Sequence, residues 1–406
     1  MHKFLTQNEV VTRTSLNKLL KRFLAPYFFV LVVFIAIGSW NQVGFHEGFN
    51  VGDWLINYQG GFVRRGLLGE GLYQLARLSS VSPAILLVFL QTIIFSVYFL
   101  FSYKVLLRKN DLLKYIILIF SPFLFTFAIN SQAGGYRKEI IYFAVLLFLT
   151  YAQETYTPLK YQKIFFWILF FYPVVIFTDE LGVAILPLMV GIFWNKVRPS
   201  SMRVILYLFF LLIENAAAFF IVIFHHQVSL AQVNAIIDSL IQTGYDPRGS
   251  GGAIGALHSS ILANTKDTFH SILSAKYYLY YPLALLLVSI AYVPLRKEIK
   301  VAFQNKILFL GYLGSILILL PVFIIANDWG RWLYILLVEL FVMILVVDTP
   351  QKSIFEITEA SYRKSSIAFG SLFLVSYAVF WYLPHVLEDD STWRNLFHNL
   401  PFIHPS

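Results

Sequence analysis

Residues 41–78 read NQVGFHEGFNVGDWLINYQGGFVRRGLLGEGLYQLARL. This polar, glycine-rich stretch lies between two apolar runs, at roughly 24–40 and 83–103, each close to the ~20 residues that cross a bilayer. Eight glycines between Gly44 and Gly71 keep its first half irregular and let the backbone approach a neighbour closely. From Val63 the spacing turns helical: Leu68, Leu72, Leu75 and Leu78 share one side, with Glu70, Gln74 and Arg77 opposite. The pattern predicts an amphipathic helix lying in a membrane interface, inside a long loop between two spans.

The same alternation continues along the chain. Further apolar windows fall at roughly 115–130, 140–153, 164–178, 181–194, 204–224, 277–293, 307–326, 332–348 and 366–384, for about eleven in all. Of the 406 residues 58% are hydrophobic, 18% aromatic and only 13% charged, which is far from soluble usage. The expected fold class is therefore all-α, a polytopic transmembrane helix bundle. Cysteine is absent, which excludes disulfide frameworks and thiolate metal sites. The formal charge of +9 is spread over short loops with no basic stripe interleaved with aromatics, so nucleic acid is not the expected partner.

Lys and Arg set the expected orientation. About two thirds of the 31 fall on the segments that are cytoplasmic if the N-terminus is inside, while the opposite face carries most of the acids. The expectation is a bacterial inner-membrane protein, N-terminus in and C-terminus out. Because 22 residues precede the first span and no small-x-small site follows it, that span reads as an uncleaved anchor. The implied organisation is a basic N-terminus (1–22), a main module (23–293) with outer loops at 41–82 and 225–276, C-terminal spans (294–384), and an outer tail (385–406).

Chemistry-bearing residues gather on the outer side. Asp53 stands beside Trp54 and Tyr58 and is followed by the pair Arg64 and Arg65. A carboxylate can take a proton from an acceptor hydroxyl, and paired guanidiniums suit a phosphate leaving group. The structural alternative is a salt-bridged interfacial helix with Asp53 as a cap. Three tight outer turns add charge: SQAGGYRKEIIYF (131–143) carries Arg137, Lys138 and Glu139; TDELG (178–182) carries Asp179 and Glu180; ANDWGRW (326–332) carries Asp328 and Arg331. Charges at bilayer depth are costly and face a cavity or one another, so these turns point either to a shared pocket or to structural ion pairing. Glu214, Asn215 and Glu339 lie within spans and are functional candidates by the same reasoning. The loop 225–276, with His225, His226, Tyr245, Asp246, Arg248, a GSGG run, His258 and His270, has no metal-ligand spacing and reads as a flexible lid. The tail histidines His385, His398 and His404 read as solvated or interfacial.

The order of these features resembles the GT-C superfamily of polytopic membrane glycosyltransferases, which take sugars from polyprenyl phosphate or diphosphate carriers. In that family a long first outer loop with juxtamembrane helices carries a catalytic Asp, and Asp53 occupies its place. Glu139, Asp328 and the loop 225–276 match the positions of further family features. The run NYQGGFVRRGLLGE is similar to membrane proteins of bacterial surface-polysaccharide clusters. The resemblance spans about the first 290 residues, but DxD and WWDxG motifs and the large soluble C-terminal domain are absent.

The resemblance implies sugar transfer to a glycan or lipid acceptor at the outer face. Asp53 would be the base, Glu139, Asp179 and Glu180 further catalytic candidates, and Arg64, Arg65, Arg137, Lys138, Arg248, Asp328 and Arg331 the substrate and phosphate contacts. No cofactor is demanded, with Mg or Mn the metals such acids would take. Competing readings are an O-antigen or capsule polymerase or ligase relying on Arg137 and Arg248, a lipid-linked oligosaccharide flippase or transporter, and a structural assembly protein.

Overall fold

The computed structural model describes residues 10–46, 48–225, 227–247, 252–348 and 361–387. Eight helices are long and apolar enough to cross a membrane. They are α1 (Arg13–Gly44), α4 (Pro83–Leu107), α6 (Pro158–Thr178), α7 (Glu180–Val197), α8 (Met202–Phe224), α11 (Tyr277–Gln304), α12 (Lys306–Ile325) and α13 (Trp329–Val347). Between them stand α2 (Asn50–Leu55), α3 (Leu67–Ser79), α5 (Glu139–Thr155), α9 (Leu230–Gln242), α10 (Ile261–Ser274) and α14 (Lys364–Val379). A single three-residue antiparallel ladder, Val10–Thr12 on Ser361–Arg363, is the only strand pairing among the described residues.

Eight of the eleven expected windows hold such helices, and the other three differ for local reasons. The window 115–130 is broken into turns at Ile116–Ile119 and Phe127–Asn130. Pro122 sits in the break, where it has no N–H to continue a helical ladder. Phe123, Leu124, Phe125 and Phe127 are all buried, so the irregular backbone is shielded by protein, the one setting in which a bilayer tolerates it. α5 spans 17 residues and α14 16.

Burial sorts the helices. α13 is the central one, with 83% of its apolar window buried, whereas α8 buries only 22%. Leu206, Phe209, Phe210, Ile213, Phe220 and Phe224 project outward from α8, as a lipid-facing surface requires.

The bundle has two chemically distinct ends. At one, the fully buried Lys109 donates to Glu154 Oε1 (2.6 Å) and to the carbonyls of Leu345 and Asp348 (2.7 Å each). Nearby, Arg13 pairs with Asp111, Lys114 with Glu298 (2.6 Å), and Tyr115 donates to Asp348 Oδ2 (2.6 Å). At the other end stand α2, α3, α9, α10 and the three charged turns.

α3 is the amphipathic helix expected from the loop, though it starts at Leu67 rather than Val63. Arg65 adopts a left-handed backbone conformation (φ 64°), which closes a turn just before it. Its apolar stripe is shared: Leu72, Tyr73 and Ala76 face the bundle, while Leu75 and Leu78 project outward.

The segment 225–276, expected to be a glycine-rich lid, is largely helical where described. A capping box of Ser229 and Gln232 starts α9. The segment is tied to the first outer loop through Asn57 Nδ2 donating to Ser239 Oγ (3.0 Å) and through the contact of His46 Nδ1 with Asp246 O (2.6 Å). His226 and the run 248–251, with Arg248, lie outside the described residues.

Candidate functional site

The charged end is assembled by stapling the first outer loop to the turn 131–138. Trp54 Nε1 donates to Tyr136 O (2.8 Å), Asn50 Nδ2 to Gln132 O (2.9 Å), and Arg137 Nη1 to Phe49 O (2.8 Å). All six residues of α2 are buried, which brings the Asp53 carboxylate beneath the surface. Lys138 Nζ donates to Arg65 O (2.9 Å), so a buried cation holds the left-handed turn that returns Arg64 and Arg65 toward Asp53.

The charges form two groups of ion pairs, one around Asp53 and Arg65 and one around Arg331. Asp53 Oδ1 lies 3.5 Å from Arg65 Nη1 and 4.0 Å from Lys138 Nζ. Arg65 reaches Glu180 (2.8 Å) and Asp179 (3.9 Å), and Arg64 also donates to Glu180 (2.8 Å). On the far side Arg331 bonds Glu139 and, at 2.6 Å, Asp328. Of the eleven residues given catalytic or substrate roles from the sequence, ten are described: Asp53, Arg64, Arg65, Lys138, Asp179 and Glu180 stand in the first group, Glu139, Asp328 and Arg331 in the second, and Arg137, bonded to Phe49 O and Ala133 O, acts with Arg331 on Asp53 through its charge. Arg248, the eleventh, lies outside the described residues.

Access is restricted. Lys138 is fully enclosed, and the side chains of Asp53, Glu139, Asp179 and Glu180 are at most 8% exposed. Arg64, Arg65 and Asp328 are between 21% and 24% exposed and form the two rims of the cluster. Two apolar crevices lie elsewhere. One, of about 800 Å³, runs between α1, the broken segment 113–120 and α14. Another, of about 480 Å³, runs along α7 and α12 from Val183 to Trp194. Both are lined almost wholly by apolar residues, as lipid-facing crevices are.

Electrostatics divide the carboxyls into two kinds. Burial works to raise the proton affinity of Asp53, but Lys138, Arg65, Arg137 and Arg331 together outweigh it and hold the carboxyl below its ordinary range. Burial dominates at Asp179, and with Glu139, Glu180 and Asp53 adding repulsion that outweighs the pull of Arg65, its carboxyl is pushed up to about 7. Lys138 shifts downward because complete burial outweighs its attraction to Asp53 and Asp179. Asp53 and Lys138 thus pull in opposite senses. Four cations act on the Asp53 carboxylate, whereas the Lys138 ammonium is fully desolvated.

Sequence reading missed one participant. His385 is half-buried against the cluster rather than solvated, and its Nδ1 lies 3.3 Å from Ser131 Oγ. Burial depresses its imidazole to about 4, with Asp328 opposing and Arg137 and Arg331 adding to the depression. Residues 384 and 385 are anchored by Tyr281 OH, which donates to His385 O (3.1 Å), and by Gly330 N, which donates to the same carbonyl (3.0 Å). Small residues in both the 134 and 330 turns were the only sequence signal that chain from elsewhere would pass there. His398 and His404 lie outside the described residues.

The mid-span candidates behave differently. Asn215 Nδ2 is spent on the carbonyls of Leu169 (2.9 Å) and Leu211 (2.8 Å), while Glu214 is only half-buried. Glu339 is fully buried, with Ser315 beside it and no ion-pair partner among the described residues.

Among the described residues no three His, Asp or Glu side chains converge to hold a metal ion, and Arg65 and Arg331 stand against the carboxylates instead. No family model, curated protein or solved structure matches the chain.

Proposed function

We propose that the protein is a membrane glycosyltransferase that moves a sugar from a polyprenyl phosphate or diphosphate carrier to a glycan or lipid acceptor. The reaction takes place at the outer face of a bacterial inner membrane, and the N-terminus is cytoplasmic. The observation that carries this reading is the convergence of ten charged side chains from four separate segments at one end of the bundle. The end that holds Lys109, Lys114 and Arg13 is then the cytoplasmic one, by the bias of basic residues toward that side.

In the transfer, the acceptor oxygen bonds to the anomeric carbon as the bond from that carbon to the carrier phosphate breaks. The hydroxyl proton passes to a carboxylate, and the leaving phosphate keeps the electron pair and is stabilised by guanidinium and ammonium groups. A base is most effective with a proton affinity near the working pH. Asp179, raised to about 7, meets that condition, whereas Asp53 is held as a permanent anion that orders Arg65 and Lys138. The proton is therefore assigned to Asp179, with Asp53 as the anionic partner of the phosphate-binding cations. The family resemblance, by contrast, places the base at Asp53.

One observation favours a transporter, namely the carboxylate of Glu339, buried at mid-span with no ion-pair partner among the described residues. Among the described residues the other buried charges lie at the two ends, and no charged path joins them.

The test is turnover of polyprenyl-linked sugars by the purified protein, wild type against Asp53→Asn and Asp179→Asn. Both variants are expected to fold and to lose turnover. Full turnover by Asp179→Asn removes that residue as the base, and no turnover by wild type with any lipid-linked donor rejects the transferase.

A further inference from the structure

Helix α14 is fastened at both ends and stands off the bundle between them. Immediately before it, Ser361–Arg363 pair with Val10–Thr12 at the foot of α1. Toward its other end, Tyr377 OH donates to Leu287 O (2.7 Å). In its middle a Cβ on Gly370 would meet no heavy atom within 4 Å, and Phe369, Leu372 and Val375 are exposed. The space left between α14, α1 and the broken segment 113–120 is the apolar crevice of about 800 Å³. Its foot is closed, since Leu112 N donates to Asn17 Oδ1 (2.8 Å) and Arg13 pairs with Asp111. A hollow of this size within a bilayer forfeits the dispersion contacts of its lining unless hydrocarbon fills it.

Length and charge fit the crevice to one leaflet of lipid. On α1 the lining runs from Leu16 to Val30. Lys18 and Arg22 are exposed and have no ion-pair partner among the described residues, whereas Arg13 and Lys114 nearby are spent on Asp111 and Glu298. Arg22 lies three residues after Leu19 and four before Pro26, so its stem adjoins two lining residues on the helix surface. Lys18 stands one turn away on the same side. From Arg22 the helix rises about 12 Å to Val30, close to the ~15 Å depth of one leaflet in a hydrocarbon core of about 30 Å. Ser366, near the same end of α14, adds a hydroxyl to the lining, while that of Tyr27 is spent on Ile119 O (2.8 Å). No acid lines the crevice. Cations thus stand at headgroup level, and apolar surface continues from them toward the midplane.

We propose that this crevice binds one anionic phospholipid, with its headgroup against Lys18 and Arg22 and an acyl chain between α1 and α14. The site lies at the end of the bundle opposite to Asp53 and Asp179, and it does not rest on the transferase reading.

The test uses the full chain, purified in detergent and stripped of lipid. It is titrated separately with phosphatidylglycerol, phosphatidylcholine of the same acyl chains, and polyprenyl phosphate, and the first lipid bound is measured by native mass spectrometry. Wild type is expected to bind phosphatidylglycerol about tenfold or more tighter than phosphatidylcholine, as two basic residues beside an anionic headgroup imply. Lys18→Gln with Arg22→Gln should remove that preference and leave phosphatidylcholine binding unchanged. Gly370→Trp puts a large side chain into open space and should weaken both phospholipids about tenfold or more, because the crevice is then filled. Gly71→Trp, on α3 where a Cβ also meets nothing within 4 Å, should bind as wild type. The charge variant alters only exposed side chains, so it keeps the test decisive if Gly370→Trp does not fold. Equal affinity of wild type for the two phospholipids, or wild-type phosphatidylglycerol binding by the charge variant or by a folded Gly370→Trp, overturns the proposal. Polyprenyl phosphate that binds tighter than phosphatidylglycerol, and is lost in Gly370→Trp, gives the crevice to that lipid and overturns it as well.

Discussion

Replacing Glu180 by Gln keeps the side-chain shape and removes the charge that holds two guanidiniums. The carboxylate takes Arg64 Nη1 at 2.8 Å and Arg65 Nε at 2.9 and 3.0 Å. Breaking a buried pair costs about 3–5 kcal/mol, because the surviving charge stays desolvated. The two arginines are 24% and 21% exposed, and Arg65 retains Asp53 at 3.5 Å, so the lower end, about 3 kcal/mol, applies. At about 2 °C per kcal/mol for a long chain, the apparent melting temperature falls by about 6 °C. Tryptophan fluorescence of the purified protein during heating measures the fall. The double variant Arg64→Gln with Glu180→Gln should recover part of the loss, since one stranded cation is gone. A buried pair is little screened, so the loss should persist at about 1 M salt. A Glu180→Gln protein that melts within about 1 °C of wild type, or a double variant no better than the single one, refutes the account of the cluster as a buried, mutually dependent set.

Asp179 gives a pH signature of definite sign. A carboxyl whose folded affinity is raised to about 7 favours folding fully below its ordinary value of about 3.9, and that contribution is lost as pH rises toward 7. Asp179→Asn should therefore flatten the decline in melting temperature between pH 5 and about pH 8, and an unchanged slope would remove Asp179 as its source. Gly330→Ala places a Cβ 1.8 Å from Pro384 O and must displace residues 384 and 385. Faster hydrogen exchange in that segment, with the opposite end of the bundle unchanged, is the expected readout. At that opposite end, Lys109→Met strands Glu154 and should cost about 3 kcal/mol in the same melting assay, with partial recovery in Lys109→Met with Glu154→Gln.

The sequence by itself determined the apolar, membrane-suited character of the chain, its helical class and which turns carry charge. Runs of apolar residues near bilayer length admit only helices that satisfy their own backbone, so the eight helices long and apolar enough to cross a membrane were legible from hydropathy alone. The charged outer turns stood out for the same reason, because a carboxylate beside lipid must find a partner. Tertiary structure decided everything that depends on which partner it finds. Hydropathy counts residues without regard to their neighbours, so it could not distinguish the broken, protein-shielded segment around Pro122 from a span. Nor could spacing reveal that Lys138 holds the Arg65 turn, that Glu180 occupies both arginines, or that His385 returns across more than 240 residues to stand beside Ser131. Proton affinities at this end arise from Coulomb sums over groups far apart in sequence. Asp53 is pulled down by four cations and Asp179 pushed up by burial and three acids, and folding alone brings those groups together.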